Sequence, residues 1–162
     1  MKNKHYSFFQ VVLHWSMAIF FAVNFFFSDE MESFFHRHLD GMATISDRAV
    51  TFHIFVGITF ILFAVIRLAI RTNHNTPEMA VCSKSILRKL ENYIHHGLYL
   101  LMFLIPIAGM SALYAKNEIL GKIHVLFMNV MLAIIVFHIV AGLYHQFILK
   151  DNLLGRMSIF KR

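Results

Sequence analysis

Four long apolar stretches divide the chain, and short polar connections separate them. They run over about Phe8–Phe27, Ala49–Ile70, Tyr93–Ala115 and Ile123–Leu149, and apart from Arg67 they contain no acidic or basic side chain. Each reaches roughly the 20 residues that an α-helix needs to cross about 30 Å of hydrocarbon. One such stretch could be a buried helix of a soluble domain, but four in succession indicate membrane spans. The pattern therefore predicts an all-α fold, a transmembrane antiparallel four-helix bundle.

The composition agrees with a membrane protein. Of the 162 residues, 58% are hydrophobic and only 15% are charged, whereas soluble domains carry about 25% charged residues. The net charge of +6 in so apolar a chain indicates membrane topology rather than nucleic-acid binding. The single cysteine, Cys82, excludes a disulfide framework, a zinc ribbon and a C-x-x-C-H site for covalent haem. Without an internal repeat or linker, residues 1–162 are expected to form one domain.

The basic residues give the spans a direction, because short cytoplasmic connections of membrane proteins are enriched in Lys and Arg. One side of the predicted bundle carries eleven of the fifteen basic residues and the other side carries four. The larger group is Lys2, Lys4, Arg67, Arg71, Lys84, Arg88, Lys89, Lys150, Arg156, Lys161 and Arg162, and the smaller is Arg37, Arg48, Lys116 and Lys122. We therefore expect a multi-pass membrane protein with both termini and the connection between the second and third spans in the cytoplasm.

Histidine is the unusual residue of this chain, with eleven copies. Ionisable side chains at membrane depth are costly and are functional by default. His124 and His138 lie 14 residues apart in the last span, which corresponds to about 21 Å of helix and returns to nearly the same face. His14 matches the depth of His138, and His53 matches the depth of His124. The spans therefore offer two imidazole pairs, one near each side of the membrane.

Two histidine pairs at two depths are what two haem b groups need, because two neutral imidazoles from facing helices ligate each iron axially. Gly57 and Gly142 each follow a paired histidine by four residues, so a patch without side chains adjoins the ligand where a porphyrin could lie. The alternative is that these histidines form ordinary interhelical hydrogen bonds and that glycine serves close packing. A zinc site would need a tighter cluster of ligands.

Three further residues lie at the ends of the spans. His145 is two turns beyond the inner histidine of the last span, where it could hydrogen-bond a quinone carbonyl or extend to water. Arg48 and Lys122 flank the outer end, where they would attract an anionic donor, pair with haem carboxylates or serve only topology. His95 and His96 open the third span near the interface, where polar histidines are common, and a ligand role is the less favoured alternative for them. His36 and His38 are expected to be solvated in the acidic outer connection.

Taken together, these residues resemble the bacterial cytochrome b561 family over essentially the whole chain. The resemblance rests on Leu13-His14-Trp15, FHIFVGI at 52–58, VIRLAIR at 65–71, His95 before YLL at 99–101, Pro106-x-x-Gly109, and the series His124, His138, His145 followed by LKDNLLGRM at 149–157. It implies a protein of the bacterial inner membrane. The implied bundle holds two b haems, one ligated by His14 with His138 and the other by His53 with His124.

The resemblance also implies an activity. Members of the family pass electrons between haem and membrane quinone, and some oxidise superoxide outside and reduce ubiquinone, with the histidine that matches His145 at the quinone. We therefore expect an oxidoreductase between superoxide, or another small outer donor, and ubiquinone. The alternative is a membrane-anchor subunit that carries electrons between quinone and a partner oxidoreductase. A third hypothesis, a proton or metal transporter with a histidine relay, lacks the broken helices typical of that class.

Overall fold

The computed structural model describes residues 6–43, 48–73, 85–150 and 152–157. Six helices form these ranges: α1 Phe8–Phe26, α2 Ser28–Leu39, α3 Arg48–Asn73, α4 Ser85–Ala115, α5 Glu118–Phe147 and α6 Leu153–Arg156. Several residues used above lie outside the described residues, namely Lys2, Lys4, Cys82, Lys84, Lys161 and Arg162.

Four of these helices, α1, α3, α4 from Lys89 onward, and α5, are long and apolar enough to cross a membrane. They are the four predicted spans, and the all-helical bundle is confirmed. Large apolar side chains on these helices are exposed, such as Phe26 (79%) and Phe55 (67%), as expected of surfaces that face lipid. Helix α4 begins well before the predicted start of its span, so Glu91 lies inside the helix.

Local capping explains where two of the spans begin. The Ser7 side chain accepts a hydrogen bond from the Gln10 backbone N–H (3.2 Å), and the Gln10 side chain accepts one from the Ser7 N–H (3.0 Å). This reciprocal capping box satisfies two backbone donors that the first turn of α1 leaves unpaired. Asn117 caps α5 by accepting from the Leu120 N–H (3.1 Å). Only two residues separate α4 from α5, so these neighbours run antiparallel.

Helix α2 is the main departure from the predicted fold, because it occupies a segment expected to be an outer connection. It ends in a Schellman motif, in which Gly41 adopts a φ of 75° and the Met42 N–H donates to the Arg37 carbonyl (2.8 Å). Positive φ at this position favours glycine, since other residues meet a steric penalty there. The helix therefore stops sharply and the chain turns back towards α3.

The apolar face of α2 packs onto one end of the bundle. Phe34 is fully buried against Val50 of α3 and Leu113 of α4. Phe35 lies so close to Gly121 of α5 that a Cβ there would come within 2.7 Å of its ring. Helix α2 consequently covers the end at which α3 and α5 begin.

The central core draws on all four spans. Its buried members are Leu13, Met17, Phe60, Ala64, Leu98, Leu101, Ile105 and Met131. Close backbone packing joins α4 to α5, α1 to α3, and α3 to α4, whereas α5 makes at most marginal backbone contact with α1 and α3 over the described ranges. The bundle therefore has a looser seam along the face that α5 presents to α1 and α3.

Candidate haem-binding sites

His53 of α3 and His124 of α5 face each other at the end covered by α2. Their ring centres lie 6.2 Å apart, with an angle of 74° between the planes. The Nδ1–H of His124 donates to the backbone carbonyl of Ile105 in α4 (2.8 Å), and because a carbonyl only accepts, Nε2 is left without a proton and able to bind a metal. In the described part of the chain, the buried Nδ1 of His53 has no hydrogen-bond partner.

His14 of α1 and His138 of α5 face each other towards the opposite end. Their ring centres are 6.1 Å apart and the planes meet at 62°. The ring of His95 lies closer still to His138, at 5.3 Å, and its Nδ1–H donates to the Glu91 carbonyl (2.8 Å). The structure thus brings together both pairs that the sequence matched by depth. It also places beside His14 and His138 a third imidazole, that of His95, for which an ordinary interfacial position was the favoured expectation. The His53–His124 pair is called outer and the His14–His138 pair inner, after the sides predicted from the sequence.

The geometry of both pairs fits a haem iron. Two imidazoles that bind one metal from opposite sides, with metal–nitrogen bonds of about 2 Å, hold their ring centres roughly 6 Å apart. Both pairs span the loose seam between α5 and its neighbours α1 and α3. A Cβ added at Gly57 or Gly142 would meet no atom within 4 Å, so open space adjoins both pairs. In the described ranges, no three His, Cys, Asp or Glu side chains gather to hold a metal ion by themselves.

The surroundings of the inner pair are rich in polar groups. The half-buried Arg67 of α3 is close enough for its charge to act on His14, His95 and His138. The Trp15 ring meets His14 edge-on at 5.7 Å and its indole N–H donates to the Met157 carbonyl (3.3 Å). These contacts tie α1 and the segment after α5 to the inner site.

His145 is buried rather than extended into water. Only 6% of the residue is exposed, and its Nε2 lies 2.5 Å from the Glu91 carboxylate of α4. Sequence reasoning missed Glu91, because the predicted span began two residues after it. Its spacing was nevertheless informative, since Glu91 and His95 are four residues apart and share a helical face.

The outer basic residues lie at the surface. Lys122 forms an ion pair with Glu118 one turn earlier in α5 (2.7 Å), and both side chains are largely exposed. Arg48 is exposed at the first residue of α3. The structure describes neither residue in contact with the outer imidazole pair, so a role there depends on attraction through space.

The expectation that His38 is solvated is wrong, whereas His36 is exposed as expected. His38 is 6% exposed and stacks on Phe34 with ring centres 5.4 Å apart. Its Nδ1 and Nε2 lie 3.2 Å from the carbonyls of Ala43 and Leu113, respectively. The physical reason is the amphipathic α2: its residues 31, 34, 35 and 38 follow the i, i+3, i+4, i+7 pattern of one helical face, which could have revealed this contact.

A membrane-spanning helical bundle that sets imidazole pairs face to face belongs to the class of transmembrane cytochromes b. The sequence model of the family described as prokaryotic cytochrome b561 matches residues 5–158. The chain belongs to that family, which makes it a multi-pass bacterial membrane protein of electron transport and implies that it binds haem b.

Two relatives match the chain over nearly its whole length. Cytochrome b562 of Cereibacter sphaeroides is 30% identical over 155 residues, which cover 94% of each chain. A protein of Yersinia pestis named "Probable superoxide oxidase CybB" is 25% identical over an alignment of 181 positions, gaps included, which covers 99% of each chain.

Proposed function

We propose that the protein binds two haem b groups, the inner one held by His14 and His138 and the outer one by His53 and His124. The observation that carries this proposal is the near-equal spacing of the two pairs, whose ring centres lie 6.1 and 6.2 Å apart. When bound, haem b supplies reversible one-electron chemistry. The protein's part is to fix the imidazoles, exclude water and set the local charge.

The reaction proposed is the oxidation of superoxide, or another small donor, on the outer side and the reduction of ubiquinone on the inner side. The name of the Yersinia pestis relative supports superoxide as the donor. Full reduction of a quinone takes up two electrons and two protons, so its site needs protonatable groups. The buried Glu91–His145 pair supplies them at the inner end, and His145 is the residue proposed to bind the quinone head group.

The charges on the outer surface bear on whether the donor is an anion such as superoxide or a basic protein. Arg48 is the exposed cation proposed to attract an anionic donor, together with Lys122, whose charge is partly offset by Glu118. The first turns of α2 expose acidic side chains, including Asp29 and Glu30, which repel superoxide and would suit a basic protein partner. This acidic surface favours the alternative function, a membrane anchor that carries electrons for a docked oxidoreductase.

The orientation proposed has both termini in the cytoplasm of a bacterium and the α2 end facing outward. Basic residues at the opposite end support it, including Arg67, Arg71, Lys89 and Lys150, because Lys and Arg are retained on the cytoplasmic side. The outer haem would then be the one next to α2 and the inner haem the one next to Glu91.

Rapid mixing of the purified, haem-loaded protein with superoxide and then with ubiquinone tests the two half-reactions. We expect His145→Gln to keep both haems and to slow reoxidation by ubiquinone at least tenfold, without changing reduction by superoxide. Arg48→Glu with Lys122→Glu should slow reduction only, and added salt should do the same in the parent protein. Lys89→Glu with Lys150→Glu, the same charge change on two exposed residues of the inner end, is the matched control.

Failure of superoxide to reduce the parent protein would remove the superoxide step. Co-purification of a partner oxidoreductase would then support the anchor function. Unchanged reoxidation in His145→Gln would show that the quinone binds elsewhere.

A further inference from the structure

The imidazole of His124 lies directly on the backbone of α4 at Gly109. An ideal Cβ built on Gly109 would lie 2.9 Å from both Cε1 and Nδ1 of His124 and 3.5 Å from Cγ. Contacts below 3 Å are shorter than carbon atoms tolerate, and the neighbour here is a ring already anchored to the backbone. Any side chain at position 109 would therefore have to displace the imidazole.

The same ring makes a hydrogen bond that depends on this close approach. Nδ1 of His124 donates to the Ile105 carbonyl at 2.8 Å, and Ile105 precedes Gly109 by one helical turn. The imidazole thus spans one turn of α4: its Nδ1–H bonds to the Ile105 carbonyl, and its Nδ1–Cε1 edge lies against Gly109. A hydrogen bond of this kind fixes which nitrogen carries the proton and the direction of the ring.

We infer that Gly109 is a positioning residue for the outer haem: its missing side chain seats the His124 imidazole on α4, so that the Ile105 carbonyl holds Nδ1–H and leaves Nε2 for iron. This inference rests on the proposed ligation by His124. Gly109, the glycine of the Pro106-x-x-Gly109 sequence, would act through His124 and not by direct contact with iron or substrate.

Gly97, another glycine of α4, provides a control that distinguishes the positioning role from ordinary helix packing. A Cβ at Gly97 would meet only Cδ1 of Ile134, at 3.3 Å, and that atom is the far end of a flexible side chain. Replacing either glycine by alanine raises the helix propensity of α4 equally. A packing role alone therefore predicts similar, mild effects at the two positions, whereas the positioning role predicts a large effect only at Gly109.

The experiment compares Gly109→Ala, Gly97→Ala and His124→Ala as purified full-length proteins. Haem per chain is measured by optical spectroscopy, and the two low-spin haem signals are resolved by electron paramagnetic resonance and by redox titration. We expect Gly97→Ala to match the parent. Gly109→Ala should retain its outer haem about 10- to 100-fold less tightly, the usual effect of losing an outer-shell partner of a metal ligand. Any outer haem that remains should show an altered resonance signal and a higher midpoint potential, because the imidazole becomes less basic.

The inner haem reports whether the variant folds, since its proposed ligands lie on α1 and far along α5. Loss of both haems from Gly109→Ala would contradict the inference, as would an unchanged outer haem. If His124→Ala itself keeps the outer haem, the proposed ligation is wrong. If His124→Ala loses that haem while Gly109→Ala behaves like Gly97→Ala, the ligation holds and only the positioning role fails.

Discussion

The two ends of the bundle, outer and inner in the proposed orientation, hold their facing imidazoles in different ways. At the outer end, His124 is anchored to the backbone of α4 through the Ile105 carbonyl and lies against Gly109. Helix α2 closes this end through the buried Phe34 cluster and the contacts of His38. The outer pair is thus defined by backbone geometry and covered by an additional helix.

The inner end instead gathers groups that carry charge or protons. Three imidazoles, those of His14, His95 and His138, lie within reach of one another, and the charge of Arg67 acts on all three. The Glu91–His145 pair is buried nearby on α4 and α5. One end therefore fixes the orientation of an imidazole through backbone contacts, whereas the other gathers charged and protonatable groups, which suits the proposed proton-coupled reduction of quinone.

Substitutions at His14 and His95 give the largest expected effect and test which imidazole pairs with His138. We expect His14→Ala to abolish the inner haem and to leave the outer haem intact, because the His14–His138 spacing fits a shared iron. His95→Ala should retain both haems. Haem content and electron paramagnetic resonance spectra measure the outcome. Loss of the inner haem from His95→Ala but not from His14→Ala would show that His95, rather than His14, is the ligand opposite His138.

Neutralising Arg67 sharpens the electrostatic contrast and has an intermediate effect. A nearby positive charge stabilises the reduced state of an iron centre, so Arg67→Gln should lower the midpoint potential of the inner haem by tens of millivolts. The potential of the outer haem should not change. Lys150→Gln is the control, because it removes a cation at the same end from an exposed position, where solvent and salt screen the charge. Equal shifts of both haems in a redox titration would contradict a local effect.

Replacing His38 tests whether α2 is a structural cover of the outer end, and it has the smallest expected effect. His38→Ala leaves two buried carbonyls without their imidazole contact, so the free energy of unfolding should fall by about 1–3 kcal/mol. The exposed His36 provides the control, since His36→Ala should change stability by less than about 0.5 kcal/mol. Denaturant unfolding in detergent measures both, and equal stability of the two variants would show that α2 contributes nothing through His38.

Hydropathy and helical periodicity were sufficient to predict the four spans and the matching of His14 with His138 and of His53 with His124. Both depend on quantities that a sequence carries directly, the length of an apolar stretch and the spacing along one helix. The limits of the spans were less accurate, because α4 and α5 continue through charged residues at the membrane boundary. This is why Glu91 was assigned to a connection.

The remaining features depend on contacts between helices that no spacing within one helix records. The hydrogen bond of His124 joins it to a backbone carbonyl of another span, and any residue at position 105 would supply that carbonyl. The sequence marks Gly109 as part of a motif but does not show which ring lies on it. His95 likewise reaches His138 only because α4 and α5 pack closely.

The most direct test of the account is the haem content of the purified protein, measured from its reduced-minus-oxidised optical spectrum together with its protein concentration. Two facing pairs of histidines predict two low-spin b haems per chain, each with two histidine ligands. A ratio near one haem per chain, or the spectrum of a high-spin haem, would contradict the central claim that both ends of the bundle bind a haem.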